Sequence, residues 1–240
     1  MLKFKYKIFL ISEQALTIQL GSAINEETRL NVLSVFHQLH DNRPDYFLDI
    51  IPAYTDVTVV YDLSIKRYHS SPFEFVKTEI EKWLDNTSKH LPGRSRHVKV
   101  PVCYEPEFAL DAKLVSQKSK LSFDRVVELH TAVTYDVFMI GFLPGFAYMG
   151  LLDPRLETPR LPTPRKLVPC GSVSIAGLQT GVYPLNSPGG WNIIGRTPLL
   201  IFDAHRSEPA LFQPGDQVSF VAISKTEFKN YEAANSNHDV

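Results

Sequence analysis

Glycine and proline are concentrated in one stretch of this chain, and they limit what its second half can fold into. Residues 141–198 contain nine of the twelve glycines and nine of the seventeen prolines. Because both residue types interrupt helices, this density is incompatible with a long helix. We therefore predict short strands joined by ordered loops that close, or nearly close, a barrel. The predicted strands cover residues 137–140, 172–176, 181–184, 199–202 and 217–223.

The first hundred residues have the pattern of a small α/β unit instead. Apolar residues alternate with lysines over 4–8, as in a strand with one solvated face, and a second alternation covers 16–20. A helical spacing starts at Asn25, and a second helix starts where Ser71 caps it and Glu74 completes a capping box. The predicted order is ββαββαβ. Its remaining strands cover residues 47–51, 57–61 and 97–104.

The charge balance and the cysteine content exclude several classes of protein. With 25 Lys+Arg and 26 Asp+Glu, the net charge is -1, which argues against a nucleic-acid partner. No apolar run approaches the roughly 18–20 residues that span a bilayer, so we expect no membrane partner and a cytoplasmic protein. Cys103 and Cys170 make neither a disulfide framework nor a metal site, and we interpret both as buried or half-buried thiols.

Motifs that bind nucleotides or activate nucleophiles do not occur in the sequence. There is no GxxxxGK[ST] loop and no GxGxxG fingerprint between a strand and a helix. There is also no GxSxG elbow and no HExxH pair. If the protein uses ATP, we expect the nucleotide to bind at an unfamiliar site or on a partner chain.

Two unusual loops are the best candidates for a binding site. Residues 141–146 form an apolar, aromatic turn with glycines near both ends. Residues 187–190 could present successive backbone N–H groups to an anion, with Trp191 as an aromatic wall. The alternative is that both segments are only tight turns of the barrel, because glycine and proline most often serve turns.

Three arginines lie in or beside these loops: Arg160, Arg165 and Arg196. A guanidinium group matches carboxylate and phosphate oxygens with two parallel hydrogen bonds. The prolines that precede Arg160 and Arg165 stiffen the backbone and reduce the ordering cost of binding. Pairing with surface carboxylates is the alternative for each arginine.

Three further side chains have the chemistry of acid–base or polarising groups. His130, at the end of a helix, could act as a general base near neutral pH, although a histidine packed at a domain junction is more usual. Gln179 and Tyr183 could orient an amide or polarise a carbonyl. The alternation over 172–176 predicts that one face of that strand meets a cleft.

A series of ordered motifs carries a family resemblance that covers nearly the whole chain. The motifs are IPAYT at 51–55, SSPF at 70–73, GFLPGFAY at 141–148, PR at 159–160 and 164–165, VPCGSVSIAGLQTGVYP at 168–184, SPGGW at 187–191, IGRTP at 194–198 and PGD at 214–216. With these motifs the chain resembles the 5-oxoprolinase B-subunit family, which also holds the kinase inhibitor KipI and proteins described as allophanate hydrolase subunit 1. Cys170 departs from the small residue, usually alanine, that the family pattern has there.

The resemblance implies an α+β protein of two domains. An N-terminal small α/β sandwich domain is expected over residues 1–98, followed by a cyclophilin-like β-barrel over residues 99–232. Both agree with the periodicity of the two halves. We expect residues 233–240 to be a frayed tail.

The resemblance also implies a function in a complex. The chain would be the B subunit of a 5-oxoprolinase, a hydrolase that opens 5-oxo-L-proline to L-glutamate together with subunits A and C, and it would be inactive alone. The complex would use ATP, at a site not assigned to this chain, with Mg²⁺ as a further candidate cofactor. A KipI-like inhibitor that binds a histidine kinase and an allophanate hydrolase-type subunit are the alternatives. We favour the role in the enzyme, since an arginine-rich cleft suits a small anionic substrate.

The predicted site follows from the loops and the resemblance together. His130, Gln179 and Tyr183 are the catalytic candidates, and no metal ligands are predicted. The amides of residues 187–190, with two of the arginines, are expected to hold the carboxylate or the phosphorylated lactam. The predicted substrate-binding residues are Gly145, Arg165, Ser172, Ser187, Gly189, Gly190 and Arg196.

Overall fold

The computed structural model describes residues 5–85 and 96–236 and divides the chain into two units. The first unit covers Met1–Ser95 and the second Arg96–Val240. The first unit contains a four-stranded antiparallel sheet with the strand order β1-β2-β4-β3. Its strands are β1 (Lys7–Ser12), β2 (Ala15–Gln19), β3 (Phe47–Pro52) and β4 (Asp56–Tyr61).

Two helices, α1 (Glu26–Asp41) and α2 (Pro72–Asp85), pack on this sheet, and a short 3₁₀ helix (Leu63–Arg67) precedes α2. The Asn25 side chain caps α1 by accepting the Thr28 N–H at 2.8 Å. Apolar residues of both helices and alternate residues of β2 and β4 form one core. The helices therefore cover the same face of the sheet. That core includes Leu16, Ile18, Val57, Val59, Val32, Val35, Val76 and Ile80.

The second unit is dominated by strands. A seven-stranded sheet has the order β12-β9-β10-β7-β6-β13-β5, and β8 and β11 form a separate pair. Its strands are β5 (His97–Val102), β6 (Thr134–Ile140), β7 (Ala147–Gly150), β8 (Arg165–Val168), β9 (Ser172–Ala176), β10 (Gln179–Val182), β11 (Ser187–Gly189), β12 (Asn192–Arg196) and β13 (Gln217–Ala222). Its helices are α3 (Ala112–Ser119), α4 (Phe123–Thr131), a 3₁₀ turn (Pro154–Leu156) and α5 (Lys225–Ser236).

The two edges of the seven-stranded sheet meet, and the sheet is nearly closed into a barrel. Cys103, just after β5, forms a bridge to Arg196 at the end of β12. The Cys103 N–H donates to the Arg196 carbonyl at 2.8 Å, and the Arg196 N–H donates to the Cys103 carbonyl at 3.0 Å. The predicted α+β fold with a barrel in the second half is therefore confirmed.

Several local predictions need correction. The strand predicted at 97–104 belongs to the second unit, because β5 pairs in parallel with β13. The units consequently divide after residue 95, three residues before the predicted boundary. Residues 199–202 contribute only an isolated bridge from Phe202 to Ala210. Residues 233–236 of the predicted frayed tail continue α5, and residues 237–240 lie outside the described residues.

Candidate functional site

A cavity of about 280 Å³ opens in the second unit where the two unusual loops come together. The loop around residues 141–146 forms one side of it, and residues 188–191 form another. A third segment, around residues 160–164, completes the lining. The lining residues are Phe142, Phe146, Tyr148, Arg160, Leu161, Pro164, Tyr183, Pro188, Gly189, Gly190 and Trp191.

The walls of the cavity are aromatic, and Phe146 is their centre. Its ring meets those of Tyr148, Tyr183 and Trp191 edge to face, with centroid distances of 4.9, 5.3 and 5.5 Å. Edge-to-face contacts are a favoured geometry for such rings, so each contact stabilises the cluster. Phe142, which is 62% exposed, extends the wall at the mouth, with its ring centroid 5.7 Å from that of Phe146.

A glycine allows the Tyr183 hydroxyl to reach the cavity wall. A Cβ atom at Gly189 would overlap that hydroxyl, so no larger residue fits without displacement. The Trp191 backbone N–H donates to the same oxygen, so the hydroxyl proton is not used in that hydrogen bond. Burial raises the pKa of Tyr183 above its ordinary value, and the side chain is therefore neutral at physiological pH.

Arg160 supplies the charge of the cavity. Its guanidinium carbon lies 5.9 Å from the centre of the Trp191 ring, within the range of a cation–π contact. The Leu161 N–H donates to the Gly190 carbonyl at 2.7 Å and ties the arginine's segment to the glycine-rich loop. The cation is thus placed at the edge of an aromatic surface.

The charge of the described cavity lining comes from a single side chain. Arg160 is the one charged side chain in the lining described by the structure. The arginine lowers the pKa of Tyr148 and of Tyr183, but burial has the larger effect, and both values are raised. The cavity therefore offers neutral aromatic walls, hydroxyl donors and one cation. It suits a small, flat molecule with an apolar body and one negative charge.

The two arginines predicted to bind substrate are engaged elsewhere. Arg165 donates to both carboxylate oxygens of Asp111, at 2.8 and 2.6 Å, and Asp111 also accepts the Ile193 N–H at 2.7 Å. The Arg196 Nε donates to the Cys170 carbonyl at 2.8 Å. Neither side chain lines the cavity, because each supports the backbone of the barrel. This corrects the expectation that both edge one hollow.

The predicted anion cradle of residues 187–190 is also not formed. Ser187–Gly189 is the strand β11, which pairs with β8. Pro188 has no N–H group, and the extended backbone of this strand is not the curved turn that directs successive N–H groups at one anion. Gly189 and Gly190 still line the cavity, but with their backbone surface.

His130 is a structural residue of the barrel core. It is fully buried, its Nδ1 is 2.8 Å from the Tyr104 hydroxyl, and its Nε2 is 2.9 Å from the Thr180 hydroxyl. Its ring stacks on Phe220 with a centroid distance of 4.5 Å. Burial lowers the pKa of His130 from 6.5 to about 3, so the ring is neutral. The prediction of a general base is wrong, because both nitrogens are engaged and the ring has no access to the cavity.

The other predicted residues lie around the cavity without lining it. Gly145, with φ of +82°, makes the turn before β7 that brings Phe146 to the wall. Ser172 is buried in β9, and the Ser187 hydroxyl donates to the Pro188 carbonyl at 3.2 Å. Gln179 is half-buried at the start of β10. Of the predicted set, the structure brings Tyr183, Gly189 and Gly190 together at the cavity.

The arginine that reaches the cavity is not in the predicted substrate-binding set. Arg160 is one of the three candidate arginines, but the prediction selects Arg165 and Arg196 instead. The sequence also places Phe146 and Tyr148 only in an apolar turn, without a role as cavity walls. A signal for Arg160 is present, since it precedes Leu161 in a segment of prolines that would hold it on a fixed backbone.

The cysteines offer no nucleophile at this site. The Cys170 thiol donates to the Pro184 carbonyl at 2.9 Å, and burial raises its pKa. Burial also raises the pKa of Cys103. Over residues 5–85 and 96–236 there is no group of three or more side chains arranged to hold a metal ion. In the same residues, no helix is long and apolar enough to cross a membrane.

Known proteins are similar to this chain over most of its length. Residues 6–212 match the family model described as carboxyltransferase domain, subdomain C and D. The B subunit of the 5-oxoprolinase of Bacillus subtilis (strain 168) is 39% identical over 95% of this chain and 97% of its own length. The corresponding 5-oxoprolinase B subunit of Escherichia coli O157:H7 is 38% identical over 90% of this chain and 95% of its own.

A solved structure shares the fold. The crystal structure of the protein TTHA0988 superposes with a TM-score of 0.76 at 33% identity. The match covers 88% of this chain but only 40% of that protein, so more than half of TTHA0988 lies outside the match. The same architecture thus also exists within a longer polypeptide.

Proposed function

The chain belongs to the 5-oxoprolinase B-subunit family, and we propose that it is the B subunit of an ATP-dependent 5-oxoprolinase that opens 5-oxo-L-proline to L-glutamate in the cytoplasm. The observation that carries the proposal is the identity of 39% to a protein of that name over nearly the full length of both chains. The kinase-inhibitor and allophanate alternatives are not better supported than this role by the relatives described above.

The cavity supports a role in holding the substrate. 5-Oxoproline has a nearly flat lactam ring and one carboxylate. The ring would pack against Phe146 and Trp191, and the carboxylate would pair with Arg160 at the mouth. The Tyr183 hydroxyl, neutral and with its proton not used in the hydrogen bond from Trp191, would bind the lactam oxygen. The chain's own residues would thus orient the amide and shield it from water.

ATP does not fit this cavity. A triphosphate needs several cations or converging N–H groups, and the described lining has Arg160 as its single charged side chain. We therefore propose that ATP, and Mg²⁺ if it is used, binds outside this cavity, on a partner subunit. This assignment agrees with a chain that acts with subunits A and C and is inactive alone.

The test is reconstitution from purified subunits. The chain is mixed with subunits A and C, ATP and 5-oxo-L-proline, and glutamate is measured over time. We expect ATP-dependent glutamate release from the three-chain mixture and none when any chain is omitted. Absence of glutamate from the complete mixture, with each subunit shown to be folded, would contradict the proposed function.

A pair of arginine variants tests the cavity in the same assay. Arg160→Ala removes the cation from the cavity and should raise the KM for 5-oxoproline at least tenfold, because a charge-assisted hydrogen bond contributes about 1.5–3 kcal/mol. Arg155→Ala is the matched control, since Arg155 is exposed and pairs with Asp153 away from the lining. Equal KM values for the two variants would show that the substrate binds elsewhere.

A further inference from the structure

Asn192 is a buried polar residue at the start of β12, directly after the cavity residue Trp191. Its side-chain Nδ2 donates two hydrogen bonds, to the Pro159 carbonyl at 2.9 Å and to the Ile175 carbonyl at 3.1 Å. Ile175 is the residue opposite Asn192 in the sheet. The other acceptor, Pro159, lies outside the sheet and immediately precedes Arg160.

The two neighbours of Arg160 are therefore fixed in the backbone. On one side the Pro159 carbonyl is held by Asn192, and on the other the Leu161 N–H donates to the Gly190 carbonyl at 2.7 Å. The Arg160 side chain is exposed, and the described part of the chain contains no ion pair that would hold it. Its place over Trp191 depends on where its backbone is anchored.

An asparagine at position 192 lowers the stability of the fold through its buried Oδ1, and this supports a specific role for its Nδ2 hydrogen bonds. Among the described atoms, the Asn192 Oδ1 is buried and has no hydrogen-bond partner. A buried acceptor without a partner lowers stability, so an apolar residue would be preferred if the Nδ2 bonds were unimportant. The amide links a strand of the barrel to the segment that carries the cation.

We propose that Asn192 is a positioning residue: by holding the Pro159 carbonyl, it keeps Arg160 over Trp191 and thereby sets the preference of the cavity for an anionic ligand. The identity of the ligand rests on the proposed function, but the positioning of Arg160 does not. Asn192 itself does not line the cavity, so its effect on a ligand would act through Arg160.

The first test detects the position of Arg160 through the fluorescence of Trp191, without any ligand. The chain has two tryptophans, so Trp83→Phe leaves Trp191 as the sole source of tryptophan emission. In that background Asn192→Leu should change the emission and acrylamide quenching of Trp191 in the same direction as Arg160→Ala. In the double variant the second substitution should add nothing. If the two changes are additive, Asn192 perturbs the tryptophan directly and the proposal is wrong.

The second test measures charge preference. Dissociation constants are compared for 5-oxoproline and for 2-pyrrolidinone, the same lactam without the carboxylate. Asn192→Leu should lower the preference for 5-oxoproline about tenfold, the loss expected when a charge-assisted hydrogen bond is removed, and should leave the binding of 2-pyrrolidinone nearly unchanged. Equal weakening of both ligands would indicate a merely structural role and overturn the proposal.

Two further variants keep the result interpretable. Asn192→Gln retains both amide donors on a longer side chain and should restore much of the Trp191 signal, even if Asn192→Leu unfolds. Asn186→Ala is the matched control, because the Asn186 Oδ1 accepts the Cys170 N–H in a different loop. If neither lactam binds the chain alone or with subunits A and C, the proposed function fails, while the emission experiment still decides whether Asn192 positions Arg160.

Discussion

The barrel core at His130 and the cavity at Trp191 are built from similar side chains, but the polar groups of the two regions differ in whether they have partners. Around His130, the described polar side-chain atoms point inward and pair with each other. At Trp191, the aromatic rings pack with each other while Arg160 remains exposed at the mouth. A titratable residue therefore marks a binding site only where its hydrogen-bonding groups are not already used by other residues of the protein.

The direction of each hydrogen bond in the core follows from one hydroxyl. The Thr180 hydroxyl donates to the Ser174 carbonyl at 3.0 Å, so its oxygen accepts the proton on His130 Nε2. The His130 Nδ1 is then the acceptor for the Tyr104 hydroxyl. A neutral histidine with this tautomer satisfies the hydrogen bonds of all three side chains, and burial is what makes its protonation unfavourable.

The largest expected effect is therefore the loss of His130. His130→Ala should lower the free energy of unfolding of the second unit by about 3–5 kcal/mol. The substitution leaves a cavity, removes the hydrogen-bond partner of the buried Tyr104 hydroxyl and removes the donor to the Thr180 oxygen. Urea unfolding followed by Trp191 emission in the Trp83→Phe background measures this unit. The exposed His205→Ala is the control and should change stability by less than about 0.5 kcal/mol. A similar small loss for His130→Ala would contradict a structural role.

The second prediction separates Arg165 from Arg160. Arg165→Ala leaves the Asp111 carboxylate, whose side chain is 5% exposed, without its cation and should destabilise the second unit by about 1–3 kcal/mol. The KM for 5-oxoproline should stay within about twofold, because Arg165 does not line the cavity. Urea unfolding and the reconstituted assay test the two effects. A raised KM at unchanged stability would return Arg165 to the binding site.

The third prediction compares two adjacent glycines of the cavity. Gly189→Ala should cost about 1–3 kcal/mol, because its Cβ overlaps the Tyr183 hydroxyl. Gly190→Ala should be nearly neutral, since the nearest atom to its Cβ is the Pro164 Cγ at 3.6 Å. Thermal unfolding of both variants measures the difference. Equal melting temperatures would show that Tyr183 is not held as tightly as the structure indicates.

The last prediction concerns pH, and its effect builds up gradually with each pH unit. The pKa of His130 is lowered from 6.5 to about 3 by burial, so between these values the unfolded chain binds a proton that the folded chain excludes. The contribution of His130 to stability is thus complete above pH 6.5 and falls as the pH decreases toward 3. The expected slope is on the order of 1 kcal/mol per pH unit.

Denaturation of the wild type and of His130→Gln between pH 4 and 8 isolates this slope. The wild type should lose more stability than the variant as the solution is acidified below about pH 6.5. His205→Gln should follow the wild type. Parallel curves for the wild type and His130→Gln would mean that the ring is protonated at little cost in the folded chain.

Much of the fold could be predicted from the sequence. The start of α1 at Asn25 and the strand at 172–176 both follow from local patterns, because helical spacing and strand alternation are local. The parallel pairing of β5 with β13 could not be predicted, since it joins residues more than a hundred positions apart. Local pattern carries no information about such a partner.

The candidate site was harder to predict than the fold, for a related reason. A proline precedes both Arg160 and Arg165, so the local sequence does not distinguish the two arginines. What separates them is Asp111, a distant residue that pairs with Arg165 and leaves Arg160 to the cavity. The role of His130 is hidden for the same reason, because its partners Tyr104 and Thr180 come from other parts of the chain. Residue type is visible in the sequence, but the competition for partners is not.

The pairing of β5 with β13 has a consequence for biosynthesis. β5 leaves the ribosome first in its unit, yet its neighbour in the sheet, β13, is the last strand to be made. The four strands of the first unit lie within the first 61 residues and can pair while translation continues. The second unit must wait with one edge of β5 unpaired, so ribosomes stalled before residue 217 should carry a folded first unit and an incomplete second unit.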